Sequence, residues 1–295
     1  MFKQSQFRNS LLVFVVLGLI LAPLGGVRLV NAEENSSTLV LTLDGLEDLG
    51  PGWVYEGWLI VGGAPASSGR FTVDAAGQAS MRRFPVAADP SAVQAFVLTI
   101  EPDPDSDPGP SDVHLLGGDF RRFAAKLSVA HPAALGNTFS SASGGFILAV
   151  PSDSNTAYTN GIWWIDPAAG PGPGLNLPVL PAGWTYEGWV VGPNGPISTG
   201  AFLSPSGADS DGGGPYAGPD PTPPFPGQDF VNPPMSLIGQ MAVITIEPVP
   251  DNSPAPFFLK PLVDRSIEDT GAPGIFQSMV NRVGNFPSGL ARLFP

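Results

Sequence analysis

PGWVYEGWLI at residues 51–60 and PAGWTYEGWV at residues 181–190 share the pattern G-W-x-Y-E-G-W once their tryptophans are aligned. The offset of 131 positions that carries Trp53 to Trp184 also carries Tyr55 to Tyr186, Glu56 to Glu187, Trp58 to Trp189, Gly69 to Gly200 and Phe71 to Phe202. A second block, Thr99-Ile100-Glu101-Pro102 with Asp105, returns as Thr245-Ile246-Glu247-Pro248 with Asp251. This block recurs 146 positions on, so the second copy holds 15 more residues between its blocks. Two separated blocks that recur in order mark an internal repeat.

Both blocks are runs of Val, Ile, Leu, Thr, Tyr and Trp bounded by Gly, Pro and Asp, the composition of strands that end in turns. Further strands are predicted at residues 38–43, 95–100, 146–150, 162–165 and 241–246. Pro102 and Pro248 close their blocks, because proline cannot donate to a ladder. A chain with 37 Gly and 35 Pro is poorly suited to helices, where an interior proline costs about 3 kcal/mol. The fold class is therefore all-β. Two tandem antiparallel β-sandwich domains are predicted at residues 33–140 and 141–264, after a signal peptide at residues 1–32 and before a short C-terminal helical tail at residues 265–295. The tail rests on Phe276, Met279, Val280 and Val283, which fall at the spacing of one helix stripe.

Lys3 and Arg8 make a basic start, Leu11 to Leu24 an apolar run, and Val30-Asn31-Ala32 a small-residue cleavage site. The apolar run is about 14 residues, short of the roughly 20 that a spanning helix needs, so cleavage is expected and retention as an anchor is the alternative. Every later apolar run is broken by Gly, Pro or charge, so no transmembrane span is expected in the mature chain. The localisation read from this pattern is extracytoplasmic: secreted, periplasmic or at the cell surface. The 26 acidic and 13 basic residues give a net charge of −13, which repels phosphate backbones and argues against nucleic acid as a partner. With no cysteine, disulfides, thiolate zinc sites and a cysteine nucleophile are all excluded.

The residues Y-x-x-W, an aliphatic run, Gly-x-Phe about eleven residues after the tryptophan, and T-I-E-P with a proline-rich tail resemble the extracytoplasmic C-terminal domain of anti-sigma-K factors. The resemblance occurs twice, at about residues 46–116 and 177–262. It implies an outer, all-β module. Anti-sigma factors of that family hold their sigma factor through an inner N-terminal domain, whereas ten residues precede the apolar segment here, so direct sigma-factor binding is not expected.

Four of the six tryptophans lie in the repeated blocks and are read as structural. The same structural reading covers Trp53, Tyr55, Glu56, Trp58 and Glu101, with Trp184, Tyr186, Glu187, Trp189 and Glu247 in the second copy. Trp163 and Trp164 are binding candidates, because neighbours on a strand point to opposite faces and one ring should leave its own sheet's core, either to stack on a sugar or to pack between the two domains. Asp209, Asp211 and Asp220 are binding candidates in the longer linker, residues 207–232, which is expected to form an ordered flap over a sheet edge with its carboxylates outward. Asp103, Asp105 and Asp107 offer alternate oxygen ligands of the kind Ca²⁺ takes, although Pro108 and His114 stand where the usual loop needs Gly and Glu. No other cofactor is expected.

No catalytic residue is assigned. His114 and His131 are the only histidines, no G-x-S-x-G is present, and Asp269-Thr270-Gly271 spells an aspartic-protease tripeptide without a second one to share its proton. These residues point to an exported, non-catalytic cell-envelope protein that binds an envelope protein or a glycan, or serves as a structural module. The alternatives are a secreted hydrolase with an unrecognised site and an accessory regulator of an anti-sigma system. Intact-mass measurement on native material is expected to give a chain that starts at Glu33; a mass that includes residues 1–32 would establish the anchor instead.

Overall fold

Side chains alternate between core and solvent along Ser37–Asp44, where Leu39 and Leu41 are buried and Thr42 is exposed, as a half-buried strand requires. The computed structural model describes residues 37–251 and 253–295, and these fall within one compact unit, Glu34–Pro295. Strands in its first half are β1 (Ser37–Asp44), β2 (Trp53–Val61), β3 (Ala64–Phe71), β4 (Arg83–Val86), β5 (Val93–Pro102), β6 (His114–Asp119), β7 (Ala124–Ser128) and β8 (Ser143–Leu148). Next come β9 (Gly161–Trp163), β10 (Ile165–Asp166), β11 (Gly172–Pro173), β12 (Leu175–Asn176), β13 (Trp184–Gly192) and β14 (Gly195–Phe202). The last are β15 (Gly227–Asp229), β16 (Met241–Pro248), β17 (Leu262–Asp264), β18 (Phe276–Ser278), β19 (Val280–Asn281) and β20 (Ser288–Phe294). The chain is all-β, as its composition predicts, and the five further strands anticipated from sequence are all found.

One antiparallel sheet of eight strands runs β3-β2-β5-β6-β7-β20-β1-β4 and is nearly closed. Its two end strands approach each other where the rings of Phe71 and Phe84 lie 6.0 Å apart. A five-stranded sheet runs β14-β13-β16-β17-β19, and another runs β12-β8-β9-β15 with β18 also on β8. Trp164 links these two: it meets Phe146 of β8 edge-on at 5.8 Å and donates its indole N–H to Thr199 Oγ1 of β14 at 3.3 Å. A single hydrophobic cluster extends from Leu39 through Tyr55, Phe139, Trp164 and Tyr186 to Leu293.

β2 and β13 are built alike. Each pairs with a following strand and with its T-I-E-P strand: Tyr55 lies opposite Phe71 and Ile100, and Tyr186 opposite Phe202 and Ile246. The tyrosine stacks on the phenylalanine at 5.5 Å in one and 5.8 Å in the other. Their hydroxyls donate to the carbonyls of Glu47 at 2.7 Å and Pro178 at 2.6 Å, again 131 positions apart. The glycine of Y-E-G-W has a steric cause. A Cβ on Gly57 would come within 2.5 Å of Ser68 Oγ and 2.8 Å of Phe96, and one on Gly188 within 2.3 Å of Thr199 Oγ1 and 2.7 Å of Trp164 Nε1.

Two expectations need correction. The first half is a nearly closed sheet, not a sandwich, because a strand from the far end of the chain, β20, pairs with both β1 and β7. The helical tail is absent as well: Phe276–Ser278 and Val280–Asn281 form β18 and β19, followed by a 3-10 turn at Val283–Asn285. Open edges of β8 and β17 offer those short segments ladder bonds, and Gly284, Pro287 and Gly289 disfavour a helix beyond them. The expected boundaries at 140 and 264 are crossed by contacts, for the Asn281 side chain donates to the carbonyls of Phe139 at 2.9 Å and Ala142 at 2.8 Å. Leu293→Ala, at a position 2% exposed in β20, is expected to lower the unfolding free energy in urea by about 2–5 kcal/mol. Phe294→Ala, 49% exposed beside it, should stay within about 0.5 kcal/mol.

Candidate functional site

Antiparallel register puts Glu56, Trp58, Thr99 and Glu101 on one face of β2 and β5, opposite the face that carries Tyr55 and Ile100. That face is buried although three of its four side chains are polar: Glu56 is 4%, Thr99 0% and Glu101 1% exposed. Each polar group is therefore expected to be paired, and it is. Thr99 Oγ1 accepts the indole N–H of Trp58 at 2.8 Å and donates its own O–H to Glu101 Oε1. The backbone N–H of Ser111 donates to both Glu101 oxygens, at 2.9 and 3.1 Å. Glu56 takes the Ser67 hydroxyl on Oε1 and the Arg70 Nε–H on Oε2 at 2.6 Å. Arg70 then reaches Asp105 with Nη2 at 2.7 Å, so one guanidinium spans two carboxylates.

Glu187, Trp189, Thr245 and Glu247 form the same face on β13 and β16. Trp189 donates to Thr245 Oγ1 at 2.9 Å and Ser198 donates to Glu187 Oε1, the counterparts of Trp58–Thr99 and Ser67–Glu56. From there the faces diverge. Ala201 occupies the position of Arg70, opposite Glu187 in the ladder. Glu247 Oε1 accepts from the Phe257 N–H at 2.9 Å, but its Oε2, on a side chain 0% exposed, has no partner among the described residues. No described basic side chain forms an ion pair with Glu187, Glu247, Asp211 or Asp251.

Burial without a cation has an electrostatic consequence. Desolvation pushes Glu247 up to about 7, and the charges of Asp251 and Glu187 add to it. Glu187 is raised by burial first and by Asp251 and Asp211 second. Asp209, half-buried, is pushed up to about 7 by desolvation, with Asp211 adding to it against the Gly227 N–H bond at 2.8 Å. The face can therefore hold protons near neutrality, or a cation in their place.

Residues 207–232 supply Asp209 and Asp211. The segment is an ordered flap: Ser210 N–H donates to the Ala201 carbonyl at 2.8 Å along the β14 edge, and Tyr216 stacks on Phe230 at 5.8 Å. Its carboxylates do not all face outward, which corrects the expectation. Asp220 and Asp211 are exposed and Asp209 is half-buried, while Asp229 is 0% exposed and holds the Ser152 N–H at 2.9 Å and the Trp163 indole N–H at 2.8 Å. Trp163 and Trp164 are both 0% exposed, so neither presents a face to a sugar. Trp163 leaves the main core, as strand geometry required, but enters a second apolar cluster with Ile147 and Ile165.

Trp53 is half-buried and lines a cavity of about 330 Å³ with Phe257, Pro248, Pro250, Pro254 and Asp251, whereas Trp184 is buried. Asp105 and Asp107 accept successive backbone N–H groups, Asp107 N at 2.8 Å and Gly109 N at 2.9 Å, and Asp105 also holds Arg70. Asp103 is exposed beside them, and among the described residues no group of three or more acids and histidines is arranged to hold a metal ion. His114 binds the Ala133 carbonyl and His131 pairs with Asp119. Asp269 accepts from the Tyr158 hydroxyl and the Gly271 N–H in a surface turn. A larger cleft of about 1090 Å³ gathers Arg82, Lys260, Arg265 and Arg282 against Asp44, Glu47, Asp48 and Asp74, a mixture whose charges cancel. Sequence reasoning missed Arg70 as a clamp and Asp251 as its acceptor's counterpart. Reading the Gly-x-Phe triplets side by side shows the signal, Arg70 in one and Ala201 in the other.

The family model described as anti-sigma-K factor rskA, C-terminal, matches residues 15–113, a span that holds β1 to β5 and the first face with its arginine clamp. The resemblance drawn from the Y-E-G-W and T-I-E-P blocks is thus found in the first of the two units. No curated protein and no solved structure matches this chain. Among the described residues no helix is long and apolar enough to cross a membrane.

A carboxyl that keeps its proton to about pH 7 when folded, and sheds it near its ordinary value of 4.5 when unfolded, makes the unfolded chain the stronger acid. Stability then falls as pH rises through that window. The melting temperature is expected to drop between about pH 5 and about pH 8, and Glu247→Gln should flatten that drop by on the order of 3 kcal/mol at the alkaline end. Equal slopes in both proteins would show that Glu247 is ionised throughout.

Proposed function

We infer that this chain is an exported, non-catalytic protein of the cell envelope, built from two tandem copies of a module resembling the outer domain of anti-sigma-K factors, and that its second copy binds a partner. The observation that carries this reading is the pair of Glu-Trp-Thr-Glu faces, alike in register and in their tryptophan–threonine bonds, of which only the first contains its own cation. A module that neutralises its carboxylates internally is finished as a structural element. Its copy, with the same carboxylates and no internal cation, has chemistry left for another molecule. The signal-like residues 1–32 lie outside the described residues, and their pattern places the working protein beyond the cytoplasm. The match to a family of anti-sigma factors supports the outer-domain character of the first copy and leaves its sigma-binding role with the inner domain of that family.

Intact cells or spheroplasts treated with protease are expected to lose the protein while cytoplasmic markers survive. Residues 33–295 are then expected to bind in a screen of cell-wall glycans, divalent cations and cationic peptides. Protection of the protein until lysis would refute export, and a protein inert to every class in the screen would leave only a structural module.

A further inference from the structure

Glu56 and Asp105 lie apart on the first unit and are joined because Arg70 reaches one with Nε and the other with Nη2. The equivalent acids on the second unit are Glu187 and Asp251, at the same positions of the same two strand blocks. Each has one oxygen engaged as in the first unit: Glu187 Oε1 by Ser198, and Asp251 Oδ1 by the Ser253 N–H at 2.8 Å. Ala201 lies opposite Glu187 in the ladder, as Arg70 lies opposite Glu56, and its methyl side chain cannot reach from one acid to the other. Glu247, whose charge is felt together with those of Asp251 and Glu187, adds a buried Oε2 with no partner among the described residues, and the flap adds Asp211 near Glu187.

We propose that this place on the second unit is a guanidinium-accepting subsite, and that its occupant is an arginine side chain presented by an extended segment of a binding partner. The proposal rests on the reading of the chain as a binding module and names the chemistry of what it binds.

Three features favour arginine over other cations. A metal ion needs its ligands converged on one point, and among the described residues no such group of three exists. A guanidinium instead spreads its donors over a planar fork and can span carboxylates that are apart, as Arg70 does. An ammonium is a compact point charge and would satisfy one of the two acids. The surroundings suit the rest of such a residue and its neighbours. Asp251 forms part of the wall of the 330 Å³ cavity whose lining includes Trp53, Phe257, Ile100 and four prolines, an apolar trough for an alkyl stem or a flanking ring. With 26 acids against 13 bases, the chain also attracts a cationic segment at long range.

The test is a titration of residues 33–295 with the blocked tripeptide Gly-Arg-Gly, read by amide chemical shifts at Gly200, Ala201 and Ser253. Blocked Gly-Lys-Gly and the citrulline tripeptide serve as competitors of lower charge complementarity. Saturable shifts confined to the second unit are expected, with the lysine peptide about tenfold weaker and the uncharged citrulline peptide silent. Ala201→Arg supplies the guanidinium within the chain and is expected to abolish binding. Should that variant misfold, Asp251→Asn is expected to weaken binding about tenfold in a chain whose spectrum is otherwise retained. Arg70→Ala opens the equivalent place on the first unit and is expected to add a second set of shifts around Glu56 and Asp105. Binding of citrulline as strong as arginine, or undiminished binding by the Ala201→Arg and Asp251→Asn proteins, would overturn the proposal. So would the absence of any shift with arginine. A chain that ignores arginine but binds a glycan or a divalent cation refutes the subsite and leaves the binding module standing.

Discussion

A buried indole N–H is costly to leave without an acceptor, and although Trp184 Nε1 has none among the described residues, the second tryptophan of each G-W-x-Y-E-G-W block finds a threonine two residues upstream of a glutamate on the neighbouring strand. That bond ties Trp58 to Thr99 and Trp189 to Thr245, and with it the register of both strand pairs, because a slip of one residue would turn the threonine to the other face. Once register is set, the remaining placements follow. Tyr55 and Tyr186 turn into the common core, the glycines admit Phe96 and Trp164, and the glutamates are left side by side in a dry environment. A pair of acids so placed has three ways to remain folded: bind a cation, bind a proton, or accept donors from the backbone. The first unit uses a cation and backbone donors. Among its own described groups, the second has only hydroxyl and backbone donors, and burial raises the carboxyl pKa of both glutamates.

The flap over the second unit belongs to the same electrostatic arrangement. Ser210 takes up both backbone groups of Ala201 at the β14 edge, which blunts that edge at one point as a pairing site. Asp209 and Asp211 come with it, and the charge of Asp211 raises the cost of ionising Asp209 and Glu187. Asp229 shows the opposite solution within the same segment, since Ser152 and Trp163 surround it with donors.

Much of the strand pattern was legible because β-branched and aromatic runs between glycines and prolines leave few other options, and the repeat was legible because tryptophan is rare enough that its spacing carries information. What was not legible was non-local. Phe276, Met279, Val280 and Val283 satisfy a helical spacing, and only the presence of open edges at β8 and β17 draws Phe276 and Val280 into strands. Ser288–Phe294 has no local feature that says it joins β1, more than two hundred positions away. For the site, the acids of the repeated blocks were visible. The decisive residue was an alanine, Ala201, and a residue without chemistry is noticed only when its counterpart, Arg70, is known to be a clamp. Trp163 failed as a platform because a strand inside a layered body has apolar neighbours on both faces, and a ring that leaves one core can enter another.

Placing β20 between β7 and β1 also sets an order of events during synthesis. Thr38 is paired with Phe294, so the first strand of the described chain waits for nearly the last residue before its ladder is complete. Until then β1 and β7 both expose free edges, and the apolar interior of the first sheet stands open at that seam, while β13, β14 and β16 can already assemble from nearby residues. Closing a loop of that length adds little entropy cost beyond a shorter one but much time, because Thr38 and Phe294 are so far apart in sequence. The earliest-made sheet is thus the last to seal. A nascent chain stalled before residue 288 would present two unsatisfied edges, the condition under which chaperones bind and copies of the same chain exchange strands.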